Sequence, residues 1–437
     1  MLGASGCGYS PGMAQPSSQA KAPGPLTLLR ELEPYQRTAF LAAFLGWTLD
    51  AFDFFLVTFV VGRIADEFKM SIPTTAFAIT IALMFRPLGA LIFGMAADRW
   101  GRRRPLMFNI VFYSLMELLS AFAPNFTIFL VLRALYGIGM GGEWGVGAAL
   151  ALESLPTKAR GLASGILQEG YATGYLLAAV AYYFVFPHLG WRGMFVVGVL
   201  PALLVLYIRF NVKESPVWEG GRRRPIGERG NLFRSIGKQP LLYLYAILLM
   251  TAFNFMSHGT QDLYPTFLQK QHGFGVGETS LITIIANVGA ILGGTFFGYL
   301  SQNFGRKNSI LVAVAFGALM VPVWVLSPSA PLLALGGFLM QFFVQGAWGV
   351  IPVHLNELSP GNVRGSFAGF TYQLGNLLSA GAAQIEAAFA QNFKLTDGGA
   401  NYAQALSYIA LIVFVSVFVL TAIGRERRGV ELSWDNE

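Results

Sequence analysis

About 20 consecutive apolar residues carry a helix across a bilayer, and this chain contains twelve such runs. The first six lie at roughly 38–62, 74–97, 105–122, 126–150, 162–186 and 191–211. The second six lie at roughly 241–265, 278–300, 308–326, 331–353, 365–390 and 402–424. Turn residues separate them at Ala123-Pro124-Asn125, Ser327-Pro328-Ser329 and Asp397-Gly398-Gly399. The chain is 54% hydrophobic and 12% charged, whereas soluble domains are about 25% charged. Water cannot cover that much apolar surface, so lipid must. The expected fold is an all-α membrane protein of twelve transmembrane helices, arranged as two pseudo-symmetric six-helix bundles.

The charges orient the bundles, because Lys and Arg collect in cytoplasmic loops. With the N-terminus inside, the inner segments hold 22 of them and the outer loops five, namely Arg63, Lys69, Arg192, Lys270 and Lys394. Both termini are therefore expected in the cytoplasm, and the protein in the cell (inner or plasma) membrane. The net charge of +7 sits in short loops rather than on a soluble domain, so no nucleic-acid partner is expected. Cys7 is the single cysteine, which excludes an intrachain disulfide and a Cys-rich metal site. Residues 1–36 are rich in Gly, Pro, Ser and Ala, lack a signal-peptide pattern and read as a disordered cytoplasmic tail. The bundles follow at 37–211 and 241–424. A cytoplasmic linker at 212–240 carries Arg222-Arg223-Arg224, and a short tail closes the chain at 425–437.

The two bundles repeat one unit. GMAADRWGRR at 94–103 aligns with GYLSQNFGRK at 298–307, ESLPTKARG at 153–161 with ELSPGNVRG at 357–365, and Trp144 with Trp348, each at an offset of 204. A constant offset in three regions marks an internal duplication. The loop after the second run reads G-x3-D-R-x-G-R-R. Asp98 can pair with arginines across the inner mouth and hold it shut, so Asp98, Arg99, Arg102 and Arg103 are the expected gating residues. Gln302 stands where the second copy would place this acid, so the latch is expected to be stronger in the first half. A simple positive-inside loop is the plainer alternative. The loop and the six-plus-six division closely resemble the signature of the major facilitator superfamily, which implies the major facilitator fold.

An ionised side chain at mid-membrane costs about 2.5–3.5 kcal/mol on insertion scales, so such residues face a cavity or a partner. At about 1.5 Å per residue, Asp50 and Asp53 lie roughly 18–22 Å from the inner end, on one face, with Arg86 at similar depth. Asp50 and Arg86 suit either a structural pair or a working site; two acids against one Arg leave a carboxyl free to titrate. Glu117 and Arg133 suit a structural pair. Glu143, beside Gly141 and Gly142, suits a proton site or a packing contact. In the seventh run Asn254, Ser257, His258, Gln261 and Asp262 recur at steps of three and four, forming one stripe that cannot face lipid. His258 is the side chain most easily switched near neutral pH, though a satisfied buried histidine is the alternative. Gln168, Glu169, Tyr171 and Tyr175 in the fifth run, and Tyr372, Gln373 and Asn376 in the eleventh, suit hydrogen bonds to a small polar solute or between helices.

NFMSHGTQDLYPT at 254–266 matches N-x-x-[ST]-H-x-[ST]-Q-D-x-x-x-T. It resembles the signature of the yeast-type lactate and pyruvate permeases, in the sialate:proton symporter branch of the major facilitators, and WTLDAFDFF at 47–55 is similar to that branch too. The resemblance implies proton-coupled uptake of short monocarboxylates. It implies roles for Asn254, Ser257, His258, Gln261 and Asp262, and substrate-facing places for Gln373 and Asn376. The chemistry agrees: a carboxylate in a dry cavity needs a cation or several donors, which Arg86 or protonated His258 supplies. The expected substrate contacts are Arg86, Asn254, Ser257, His258, Gln261, Tyr372, Gln373 and Asn376. The expected proton-coupling groups are Asp50, Asp53, Glu143, His258 and Asp262. A sialic acid or aromatic acid symporter is the alternative within the superfamily, and a transport-like membrane sensor the alternative outside it. GMGGEWG at 139–145 lies inside a run and reads as helix packing rather than a phosphate loop. No enzyme activity, metal or cofactor is expected beyond the proton as coupling ion. The expected partners are a small carboxylate and the bilayer, and the chain is expected to be a monomer.

Overall fold

A computed structural model describes residues 24–222, 231–393 and 401–434. Cys7, most of the expected tail, Arg223, Arg224, the turn at 397–399 and residues 435–437 lie outside the described residues. The first half comprises α1 (Pro25–Arg30), α2 (Pro34–Phe68), α3 (Ile72–Trp100), α4 (Arg103–Ala121), α5 (Phe126–Ser154), α6 (Arg160–Gln168), α7 (Gly170–Val197) and α8 (Pro201–Asn211). Two short helices, α9 (Pro216–Gly221) and α10 (Leu232–Lys238), lie in the connection. The second half comprises α11 (Pro240–Gln261), α12 (Tyr264–Lys270), α13 (Val276–Phe304), α14 (Arg306–Val325), α15 (Ala330–Leu358), α16 (Arg364–Leu378), α17 (Ala382–Asn392) and α18 (Tyr402–Ile423). Local sequence starts these helices where it should. Ser71 and Asn125 cap α3 and α5 by accepting from the amides of Thr74 and Ile128, and proline opens α2 and α11.

Among the described residues, nine helical runs are long and apolar enough to cross a membrane. One of them, 157–211, has 55 residues. At about 1.5 Å per residue it is far too long for one crossing. Its backbone leaves the helical region at Gly190 (φ 62°), and both α7 and α8 pack on α4, so the run folds back. The twelve crossings read from the sequence further require α4, which carries Arg103, Arg104 and Glu117, and the eleventh run, which breaks into α16 and α17. Phe108, Leu203, Phe210, Leu241, Leu319 and Ile412 lie exposed on the outside, a surface made for lipid rather than water.

The repeat holds in three dimensions at the same offset. Short 3-10 turns at Thr157–Ala159 and Gly361–Val363 lead into α6 and α16. Gly101 and Gly305 adopt φ of 97° and 104°, a region that L side chains resist. The halves meet along a seam in which α3 packs on α16 and α13 on α6, completed by α5 and α15. The backbones nearly touch there. A Cβ on Gly94 would fall 2.6 Å from the Ser366 Cα, and one on Gly298 would fall 2.7 Å from the Gly165 Cα.

This seam lies at the end that carries both termini. The expected tail is ordered from residue 24 onward: α1 forms, and Leu28 and Leu32 are buried, Leu32 packing with Leu155, Ala159 and Ala163. Apolar burial there outweighs the polar, Pro-rich character of what precedes it. Glu31 pairs with Lys158. The C-terminal segment is also docked. Glu426 accepts from the Lys307 amide at 2.9 Å, the Val430 carbonyl accepts from Arg160 at 3.0 Å, and the Ser433 carbonyl accepts from Arg364 at 3.2 Å. Trp434 is buried against Gly221 and Gly361. The tail therefore lies beneath both halves.

Candidate functional site

The seam floors a cavity of about 410 Å³ between the halves, which reaches past Asp262 at the far end of α11. That volume suits a small solute. The first half supplies an aromatic wall: Trp47 stacks on Tyr171 at 5.6 Å, and Phe55 meets Tyr171 and Tyr175 edge-on at 5.1 and 4.9 Å. The second half supplies polar groups. All five residues of the α11 stripe line the cavity, as the 3.6-residue period requires. Gln261 donates to Gln341 at 2.8 Å, and Gln345 reaches Ser257 at 3.5 Å. His258 Nδ1 lies 3.1 Å from Asp262, and both side chains stay about a third exposed (34% and 36%).

Arg86 is the cation of the opposite wall. It lies 4.0 Å from Asp50, and its Nε and Nη2 hydrogens have no acceptor. Both of those nitrogens are buried, Nη2 on the Asp50 side, so the guanidinium lines the cavity while these two donors lie behind its surface. Tyr372 and Asn376 line the cavity as expected, and so do Gln168, Glu169, Tyr171 and Tyr175.

Gln373 does not. It is fully buried on α16, outside the cavity, with neither amide atom hydrogen-bonded. Asp50 and Asp53 are also fully buried outside the lining, with no hydrogen bond to their carboxylates. Glu143 turns toward Gly46, between α5 and α2, rather than toward the cavity. Glu117 and Arg133 form the structural pair, with the guanidinium 4.1 Å from the centre of the Tyr136 ring.

The gate differs from its expected form. Asp98 does not pair with arginines across the mouth. It accepts from the amides of Gly365 and Ser366 at 2.8 and 3.0 Å and from the Ser366 hydroxyl at 2.5 Å. The first turn of α16, with its unpaired N–H groups, takes the place of the arginine. Arg102 binds Asp98 at 3.0 Å within its own half, and also Glu153. The cross-seam arginine is Arg364, which binds Glu153 at 3.0 Å. Arg99 is exposed, and Arg103 turns to the Arg209 carbonyl, so neither joins the latch. In the second copy Gln302 accepts from the Gly161 amide at 3.2 Å and from Arg306 at 3.0 Å, an uncharged version of the same cap.

Several participants escaped the sequence reading. Gln341 and Gln345 stand one turn apart in an apolar run, and Asn287 lies alone in another. Each was visible as a polar residue in a span, but none belongs to a motif. The Arg102–Glu153 pair recurs as Arg306–Glu357, both partners shifted by 204. The repeat offset, applied to charges as well as to loops, would have found it.

Two helical halves related by a repeat, closed at one end over a solute-sized cavity, define a membrane carrier. The chain belongs to the Major Facilitator Superfamily, whose family model matches residues 43–384. That is a family of transporters, not enzymes, and the protein is a multi-pass protein of the cell membrane. It is 29% identical to a "Carboxylic acid transporter protein homolog" of Saccharomyces cerevisiae over 94% of this chain and 71% of the relative. It is 29% identical to the "Sialic acid transporter NanX" of Escherichia coli over 79% of this chain and 85% of the relative. The solved structure of the proton:xylose symporter XylE, bound to 6-bromo-6-deoxy-D-glucose, superposes with a TM-score of 0.73 at 20% identity, covering 91% of this chain and 98% of that one. It shows the shared fold.

Proposed function

We propose that the protein is a proton-coupled symporter that imports short monocarboxylates, such as lactate and pyruvate, by alternating access. On this reading the chain crosses the membrane twelve times, keeps both termini in the cytoplasm and works as a monomer. The cavity then opens outward, and the closed seam is the inner gate. The observation that carries the reading is the placement of Arg86, a cation of the cavity wall, in the same cavity as the His258–Asp262 pair. The name of the yeast relative agrees with it. Arg86 receives the carboxylate, and Asn254, Ser257, Gln261, Tyr372 and Asn376 orient it. Protonation of His258–Asp262, or of Asp53 behind the cavity, accompanies binding. One proton with one anion moves no net charge, so the pH gradient drives uptake at about 1.4 kcal/mol per pH unit.

Labelled lactate uptake into proteoliposomes, acid outside and with the potential clamped, tests this. Accumulation that a protonophore abolishes is expected. His258→Ala is expected to insert normally and lose accumulation; wild-type uptake would remove His258 from the mechanism.

One observation favours a second reading. Gln341, Gln345 and Asn287 add amides to a wall already carrying Asn254, Gln261 and Asn376. That is more hydrogen-bonding capacity than a three-carbon acid uses, and it suits a polyhydroxylated acid such as sialic acid. Accumulation of labelled sialic acid, with lactate inert, would select this reading. Silence from both acids in folded, inserted protein would leave the sensor class standing.

A further inference from the structure

We propose that Glu169 is a titratable group of the gate, whose protonation is required for the seam to close. This rests on the reading of the protein as a proton-coupled carrier. Glu169 stands at the break between α6 and α7 and lines the cavity, yet it is 6% exposed. It crosses from the first half into the second. A Cβ built on Gly294 of α13 would lie 1.9 Å from the Glu169 Oε1 and 3.3 Å from the Gln345 carbonyl oxygen of α15. The carboxyl therefore fills the space that a side chain at 294 would take, in a niche walled by backbone.

The chemistry of that niche is one-sided. Oε1 is buried without a hydrogen-bond partner, and no ion pair to Glu169 is found among the described residues. The wall offers a carbonyl oxygen, which repels a carboxylate and can accept from a carboxylic acid. Burying an unpaired anion there costs far more than burying the neutral acid. Arg86 of α3, Tyr171 and Tyr175 of α7, His258 and Asp262 of α11, and Tyr372 of α16 face the same cavity, with Asp50 of α2 behind Arg86. None of them hydrogen-bonds Oε1. Among the residues lining the cavity, α13 and α15 present no charged side chain.

The repeat sharpens the point. The residues 204 positions away are Gln373 for Glu169 and Ala90 for Gly294. The first half's Ala90 and the second half's Gln373 thus make a neutral version of this arrangement. At this pair of positions one seam carries a carboxyl and its twin an amide. Closing the halves at this end seats the neutral acid. Parting them releases Glu169 to water on the side that opens, where it ionises; closing again takes a proton back from that same side, so the group gates the seam by pH and carries no net proton across.

Hydrogen–deuterium exchange of the full chain in nanodiscs tests this without any solute. Seam peptides from α6 and from the middle of α13 are compared at about pH 5.5 and about pH 8.5, on either side of neutrality. With exchange expressed as protection relative to the intrinsic, base-catalysed rate at each pH, wild-type seam protection is expected to fall several-fold at the higher pH. Glu169→Gln, which keeps a neutral group in the niche, is expected to stay protected at both. A wild-type pH response in Glu169→Gln, or loss of protection at both pH values, overturns the proposal. Gly294→Ala, which displaces the carboxyl with a methyl group, is expected to lose the pH response as well; retaining it would also overturn the proposal. In proteoliposomes wild-type uptake is expected to slow as the pH on the seam side is raised, and Glu169→Gln is expected to lose that dependence. If wild-type protein moves no lactate, the carrier reading of the substrate fails while the exchange experiment still decides Glu169. If lactate uptake by Glu169→Gln keeps the wild-type dependence on seam-side pH, Glu169 fails and the carrier reading stands.

Discussion

Arg102→Ala is expected to destabilise the protein by about 3–5 kcal/mol, the range for removing one partner of a buried ion pair. Arg102 is fully buried and binds Asp98, Glu153 and the Ala97 carbonyl at 2.9–3.0 Å. Its loss strands two carboxylates away from water. Glu153 would keep Arg364 and the Ser215 hydroxyl, and Asp98 would keep the first turn of α16. Since both remaining sets of contacts lead to the seam or to the connection, the damage should fall on the closed end first. Thermal unfolding in detergent measures the loss. Arg102→Lys is expected to recover only part of it, because an ammonium cannot reproduce the forked pairing with Glu153 at 3.0 and 3.2 Å. A change of less than about 1 kcal/mol in Arg102→Ala, the scale of an exposed pair, would show that the network is dispensable.

Arg86→Ala is expected to weaken solute binding roughly 30-fold or more, corresponding to about 2 kcal/mol or more for truncating one side of a buried charge pair. The basis is the guanidinium's position on the cavity wall. Half-saturation of counterflow, measured in proteoliposomes, gives the change without requiring proton coupling. Arg86→Lys is expected to restore little, since a point charge cannot bind a carboxylate through two parallel hydrogen bonds. Unchanged half-saturation in Arg86→Ala would move the anion seat to His258 and its amide neighbours.

The membrane class and the duplication were legible because both are written in long-range patterns: apolar run length, and a constant offset that any packing must respect. The α11 stripe was legible because helical periodicity places its five residues on one face. Depth alone was a weaker guide. It grouped Asp50, Asp53 and Arg86 in one layer, but it could not say that Arg86 reaches the cavity while both acids sit behind the wall, since that depends on how α2 turns about its axis. Gln373 misled for the same reason: it neighbours Tyr372 in sequence but points elsewhere. Asp98 shows a different limit. A search for charged partners overlooks backbone N–H groups, and here a helix start does the work of an arginine. Glu169 matters through Gly294, a residue whose importance lies in what it lacks.

The docked C-terminal segment adds a consequence of another kind. Arg160, which holds this segment, lies in the first half and Arg364 in the second, while Trp434 of the segment packs between Gly221 of the connection and Gly361 of the second half. No rocking of the halves leaves all three attachments intact. On the proposed alternating-access cycle, an opening that frees this segment carries the Trp434 indole from a buried pocket to water, and a red shift in emission that Trp434→Phe removes is the expected sign of it.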